Sequence, residues 1–532
     1  MKKKSVIAIL AVSQFVMILD STVMNVSIST VAADLGTTIS GMQAAITFYA
    51  LTMASLMLTG GKLGSIWGRH KAFKIGSFIY GIGSLITAVS PSLPVLLFGW
   101  SFIEGLGAIL VIPAIAALAA VNYKGKERVA AFSILGAVTG LAAAIGPIIG
   151  GYFTTYLSWR YVFASEAVIM TAVLLLSSKI KDEKLESKSH LDISSVLMSA
   201  SGMGILVLGV LQSKTWGWVT PINSPVVNGA EIAPLGISLT AYFIVIGLVI
   251  LKMFMSRQRM LEDSGRDPLL KTSLLQLPIL KSGLSVFMSQ YFVIAALFFV
   301  VPVYLQTVLG FDALETGIKL VPLSIGLVIF SAVGSKLSLT KSPKLIVRTG
   351  QLAMALGSLL LLSSINPELS SGLFWLGMFI VGMGFGLLAS QLGNVNMSAV
   401  SSDDTVQVGG LQGTYQNLGT SFGTALVGSI FMLTLTSGFI SAVQNSPNLS
   451  SDQKTQISAK AEGGVGVVSA DQANQYVLDN GGSAQTANTL TVIYRDSQVQ
   501  ALKEGMFFVF VASIASLVLA RNLPNKVIKQ LN

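Results

Sequence analysis

The chain has 532 residues, of which 52% are hydrophobic and only 11% charged. Its mean hydropathy is +0.72, whereas ordinary soluble domains carry about 25% charged residues, so a fully water-facing surface is excluded. The net charge of +10 falls in short clusters between apolar runs, which excludes a nucleic-acid interface. There are no cysteines, and the two histidines, His70 and His190, lie in loops, so disulfides and thiolate or histidine-rich metal sites are excluded. No cofactor or metal is expected.

A membrane-crossing helix needs about 20 mostly apolar residues. In chain order, such runs fall at roughly 6–30, 42–61, 73–90, 94–118, 129–152 and 159–178. A pair follows at roughly 193–212 and 233–252. The last six lie at roughly 283–308, 317–335, 345–363, 371–396, 406–437 and 505–521. The first run follows Lys2-Lys3-Lys4 but is too long for a secretory signal and is interrupted by Asp20, Thr22 and Asn25. It reads as an uncleaved helix. The expected architecture is all-α and polytopic, with 14 transmembrane helices.

With both termini in the cytoplasm, the segments expected inside carry 27 of the 34 Lys and Arg residues, as the positive-inside rule requires. This predicts a multi-pass protein of the cell membrane. Residues 438–503 are polar and expected outside, with Leu490–Tyr494 as a short strand. Residues 253–282 form a basic linker suited to anionic lipid.

A shift of 274 positions lays Gly60, Lys62, Leu63, Lys74 and Gly76 on Gly334, Lys336, Leu337, Arg348 and Gly350. Nearly the same shift relates Gly105-Leu-Gly107 to Gly382-Met-Gly384. Equivalent loops at equivalent spans mark two parallel repeats. The expected division is an N-terminal six-helix bundle (1–180), an inserted helix pair with linker (181–282) and a C-terminal six-helix bundle (283–532).

The first span holds Leu19-Asp-Ser-Thr-Val-Met-Asn25. A carboxylate inside a span costs a few kcal/mol when charged, and exchanging a proton for cargo keeps such a group neutral. Thr22, Asn25 and Ser29 lie on another face and read as interhelical glue. After the second span, Gly60-Gly-Lys-Leu-Gly-Ser-Ile-Trp-Gly-Arg-His-Lys71 allows a tight turn at Gly61 and Gly68, with Arg69 and Lys71 facing helix ends or phosphates. The fifth span carries Gly136-x3-Gly140 and Gly146-Pro147-Ile-Ile-Gly150-Gly151. Small residues let backbones approach, and proline bends the helix.

These elements, in this order, resemble the major facilitator superfamily. The Asp-x-Thr-x-x-Asn and Gly-Pro-x-x-Gly-Gly elements with fourteen spans look like its fourteen-helix drug:proton antiporters, which are QacA-like. The resemblance implies a transporter, not an enzyme. The chain departs from the family at Ser65 and Ile66, where Asp and Arg are usual. It departs again at Ser101 and Glu104, where Arg and Gln are usual. Some relatives carry acids within span thirteen, whereas Asp403 and Asp404 lie at its edge.

Three acids remain inside the expected membrane: Asp20, Glu104 (roughly 15 Å deep) and Glu166 (roughly 10 Å deep). They are the expected proton-coupling and substrate groups, although Glu166 has a structural alternative as a partner of Arg160. Phe15, Gln43, Tyr49, Trp100, Phe102, Phe287, Gln290, Tyr291, Gln391, Asn394, Tyr415 and Asn417 are expected along a substrate cavity, where rings favour lipophilic cations. The expected activity is proton-coupled efflux of amphipathic, cationic drugs by alternating access, from a monomer in membrane lipid. A lipid or lipid-like metabolite transporter of the same fold is the alternative. A membrane sensor working through its outer loop is a third reading.

Overall fold

The computed structural model describes residues 3–123, 125–177, 180, 191–222, 224–227, 230–369, 371–400, 404–461 and 464–526. His190 and Asp403 lie outside the described residues. The elements of the first third are α1 (Lys3–Val26), α2 (Ile28–Asp34), α3 (Ile39–Trp67), α4 (Arg69–Ala88), α5 (Leu93–Leu96), a π-helical stretch (Leu97–Glu104), α6 (Gly105–Asn122), α7 (Gly125–Tyr156) and α8 (Arg160–Ser177). The central pair is α9 (Ile193–Trp216) and α10 (Leu239–Asp263), with a minimal hairpin, Val226–Val227 against Ala230–Glu231, between them. The rest comprises α11 (Pro278–Val303), continued as a π-helical turn (Tyr304–Val308), then α12 (Ala313–Leu337), α13 (Pro343–Ser364) and α14 (Ser371–Ser398). It closes with α15 (Thr405–Asn445), α16 (Ser451–Ala461), α17 (Ala470–Asp479) and α18 (Ala484–Leu519).

Among the described residues, twelve helices are long and apolar enough to cross a membrane. Packed among them are α4, whose first turn carries Arg69, His70 and Lys71, and α7, helices of 20 and 32 residues. The protein is thus an all-α, multi-pass membrane protein with pseudo-symmetric packing. In one set, α4 packs on α6 and α8, and α1 on α7. In the other, α13 packs on α14, and α11 and α18 on α15. The sets meet along two seams, α3 against α15 and α7 against α12. The α9–α10 hairpin lies across the first seam, touching α3 and α15.

The internal repeat reappears as packing. A Cβ at Gly76 would run into the Gly107 carbonyl, and one at Gly350 would run into the Gly384 carbonyl. Each pair brings two backbones closer than any side chain allows, α4 to α6 and α13 to α14. The turn between α3 and α4 is the single residue Gly68, with φ +95°, a conformation that only glycine adopts without strain.

Several expectations are corrected. Leu490–Tyr494 is helical, inside α18. Tyr494 packs edge-on to Phe439 and donates its hydroxyl to the Gly466 carbonyl, so tertiary contacts override the local strand preference of a β-branched run. The last helix begins at Ala484, far before 505, because its polar first half packs on α17. The first span breaks at Ser27 and resumes as α2. Among the described residues, Thr22 and Asn25 make no hydrogen bond across helices. Thr22 donates to Leu19 O (2.8 Å) and Asn25 to Ser21 O (2.6 Å), both within α1.

At the face where the chain begins, the 264–277 segment crosses the first seam. Its Leu269 and Leu270 N–H groups donate to Gln258 Oε1. Lys62 of α3 pairs with Asp267 (2.5 Å), and Lys271 pairs with Asp404 (2.6 Å) at the start of α15. Nearby, Arg257 makes two bonds to Asp192 (2.7 and 2.8 Å) and holds that carboxyl well below the usual range.

Two outcomes test this packing. Gly107→Val should destabilise the protein in detergent by about 1–3 kcal/mol, whereas Gly204→Val, with open space around it, should leave the melting temperature unchanged. The Asp192 pairing stabilises fully above the unfolded aspartate value of about 3.9 and is lost as pH falls toward the lowered folded value. Arg257→Leu should therefore remove that part of the acid sensitivity in a melting series against pH.

Candidate functional site

Asp20 on α1, Glu104 at the end of the π-helical stretch and Glu166 on α8 converge, with one carboxyl oxygen of each within 4.8 Å of the other two. All three are fully buried. Trp100 Nε1 donates to Asp20 Oδ1 at 2.7 Å, and Ser84 Oγ donates to Glu104 Oε2 at 2.9 Å. Tyr49 stacks flat on Trp100, with centroids 4.9 Å apart, and orients the indole. Asp20 Oδ2, Glu104 Oε1 and both Glu166 oxygens lack hydrogen-bond partners among the described residues.

Local sequence explains this convergence. A Cβ at Gly83 would overlap the backbone of Glu104, so that glycine lets α4 present Ser84 to the carboxyl. The π-helical stretch puts an extra residue into each turn and carries Trp100 and Glu104 together toward α1. Ser101, at the family's arginine position, donates to Ala45 O (2.8 Å) and ties this stretch to α3. Tyr80 and Ser84 were not expected. They sit in the uncharged part of α4, beyond Lys74, and their sequence signal is the small-residue pattern around Gly83.

Arg160 does not pair with Glu166. It pairs with Asp34, donates to Ser90 O (2.8 Å) and covers the Trp159 ring at 4.5 Å. Glu166, six residues further along α8, points inward to the other two acids.

The seams place the remaining motif residues. Gly146 and Gly150 abut Thr22 and Val23 of α1, while Pro147 meets Gly317 and Gly151 meets Ala313, both on α12. The far end is sealed by Gln306 donating to Val26 O (2.6 Å) and Gln43 donating to Thr424 O (2.7 Å). At the opposite end a cavity of about 250 Å³ lies between α3, α6, α15 and the 264–277 segment. Gly61 and Arg69 line it, with Lys62, Asp267 and Gln407.

None of the side chains expected along the cargo path lines that cavity. Tyr49 and Trp100 instead hold the acid cluster. Phe15 packs among Leu19, Ile149 and Val162. Phe102 is 47% exposed beside Phe98, on the outside of its helix. Gln290 faces a narrow gap with Met354 and Ser513. The Phe287 and Tyr291 rings lie tilted at 53° to each other, centroids 5.0 Å apart. Gln391 donates to Gly334 O, Asn394 is exposed, Tyr415 packs against the cluster around Leu269, and Asn417 donates to Gly413 O in its own helix. Aromatic and amide content identifies polar spans but not which side faces the seam.

Trp100→Phe, which removes the donor to Asp20, should destabilise by about 1–3 kcal/mol. Adding Asp20→Asn should recover part of that loss. A thermal double-mutant cycle should show non-additivity of about 0.5–3 kcal/mol.

Comparison with known proteins agrees with this geometry. The Major Facilitator Superfamily model matches residues 10–424. A probable actinorhodin transporter of Streptomyces coelicolor is 28% identical over 427 residues, 78% of this chain and 70% of that protein. The puromycin resistance protein pur8 of Streptomyces alboniger is 26% identical over 431 residues, 80% of this chain and 81% of that protein. The methylenomycin A resistance protein of Bacillus subtilis is 24% identical over 432 residues, 81% and 88% respectively. The fold superposes on a crystal structure of a bacterial homolog to the human lysosomal transporter Spinster, inward-facing and unoccupied, with TM-score 0.60 and 14% identity over 98% of this chain and 97% of that one. With helix packing, seams and family model in accord, the chain belongs to the major facilitator superfamily, the secondary transporters of small molecules.

Proposed function

We propose that this protein is a proton-coupled exporter of amphipathic, cationic drugs, of the fourteen-helix antiporter type. The observation that carries the reading is the buried cluster of Asp20, Glu104 and Glu166, with no ion pair to it among the described residues. Three negative charges this close repel strongly, a pair at 4 Å by about 4 kcal/mol at an effective dielectric of 20. Protons or a cation must neutralise them. A proton and a cationic cargo are then alternative ways to satisfy one carboxylate, which is the exchange an antiporter needs. Relatives named for actinorhodin transport and for puromycin or methylenomycin resistance support drug-like cargo.

In this reading α4 and α7 join the twelve apolar helices to make fourteen spans. Residues 1–180 and 283–532 form the two rocking bundles, and α9 with α10 is an insertion. Both termini and the cavity face the cytoplasm. Asp20 and Glu104 are sealed from water in this conformation, so protons reach them only when the far seal at Gln306 and Gln43 opens. Gly146, Pro147, Gly150 and Gly151 form the seam that permits it, and Asn25 stiffens α1 beside them. The lipid reading calls for a side opening lined by Leu, Phe and Met. The cavity instead carries Lys62, Arg69 and Asp267 and has no Phe or Met in its wall.

The test is ethidium transport in vesicles under an imposed pH gradient. Asp20→Asn and Glu104→Gln should each weaken the coupling about 5–150-fold. Gradient-driven transport unchanged in the double variant would refute proton coupling at this site.

A further inference from the structure

The cluster is more than a place for a proton. Besides its carboxyls it holds the Tyr80 hydroxyl, which is fully buried, completes no hydrogen bond of ordinary geometry among the described residues and lies beside Glu104. Five oxygens of these four residues are buried without a hydrogen-bond partner among the described residues: this phenol, Asp20 Oδ2, Glu104 Oε1 and the two of Glu166. Neither nitrogen nor sulfur is among them. An all-oxygen set selects a hard cation over a transition metal.

Size and charge narrow the choice. Oxygen ligands of calcium lie at about 2.3–2.6 Å, so ligands on opposite sides are about 5 Å apart, whereas magnesium demands about 2.0–2.1 Å and keeps several waters. One oxygen of each carboxyl lies within 4.8 Å of the other two, which admits a cation of calcium's radius, nearly that of sodium, and the full burial of the acids disfavours a magnesium ion that keeps several waters. A divalent ion would require two ionised carboxyls for neutrality. Three buried carboxyls this close, with no basic partner among the described residues, disfavour more than one ionised group, and a monovalent ion balances that single charge.

We infer that Asp20, Glu104, Glu166 and Tyr80 form a sodium-ion site. The inference rests on the proposed role of this cluster as the coupling site. The neutral cluster carries three protons, two protons and a sodium ion, or two protons and a cationic cargo. Sodium entering from the far side then discharges cargo as a proton does, with charge conserved at each exchange. Tyr80 supplies a neutral ligand and distinguishes the sodium form from the fully protonated one.

The experiment measures binding of radioactive sodium to the purified full-length protein, with choline replacing sodium at constant ionic strength. Saturable binding of one ion is expected, weakening up to about tenfold per pH unit on acidification and displaced by ethidium. Glu166→Gln should abolish it. Tyr80→Phe, which keeps the ring and so guards against misfolding, should weaken it about tenfold. No saturable binding in the unaltered protein would overturn the inference, as would binding that survives Glu166→Gln. If sodium fails to bind while pH-driven ethidium transport is intact, the sodium site falls and the proton reading stands. If sodium binds as expected but ethidium is not transported, the sodium site stands and the cargo assignment falls.

Discussion

Three carboxyl groups buried together, without a basic partner among the described residues, constrain the rest of this molecule. Isolated charges cannot stay in a low-dielectric interior without compensation, and here each acid raises the cost of ionising the others. Trp100 and Ser84 offset part of that cost by donating to Asp20 and Glu104. The geometry is demanding, because the donors come from different helices and must converge within hydrogen-bond reach. The stacked Tyr49 ring and the π-helical stretch fix the indole, and Gly83 admits Glu104. Packing around the cluster thus serves its charge balance before it serves stability in general.

The same close approach by glycine governs the parts that move in the proposed mechanism. Where α7 meets α1 and α12, small residues replace interdigitating side chains, so contact is broad but few large groups need to repack when the seam shifts. The first seam is different. There α9 lies against α3 and α15 with α10 packed on it, and the 264–277 segment reaches Lys62 of α3 through Asp267 and Asp404 beside α15 through Lys271. One seam is lined by small residues, the other is crossed by ion pairs.

Much of this was legible in the residues. Apolar runs gave the helices, because a spanning segment must satisfy its backbone internally. The acids were legible because charge in such runs is rare. The repeat at Gly76 and Gly350 was visible in sequence and acquires its physical meaning from the matching contacts with Gly107 and Gly384. Other features were hidden. Tyr80 and Ser84 matter only through a glycine that brings two helices together. Arg160 was within reach of Glu166 along the chain, but Asp34, over a hundred residues away, captures it. Phe102 is two positions from Trp100, and so falls on the opposite face of its helix, away from the acids. The start of α18 was obscured because its first half is polar and stabilised by packing on α17.

The central claim is that cargo and proton share one negative charge among these carboxyls, and proton release tests it most directly. Ethidium is added to the purified protein in weakly buffered detergent solution, and the released acid is titrated against bound dye. The account requires about one proton released per cation bound, and none from a protein carrying Asp20→Asn, Glu104→Gln and Glu166→Gln together. Dye bound stoichiometrically with no proton release, across the pH range where transport occurs, would contradict it.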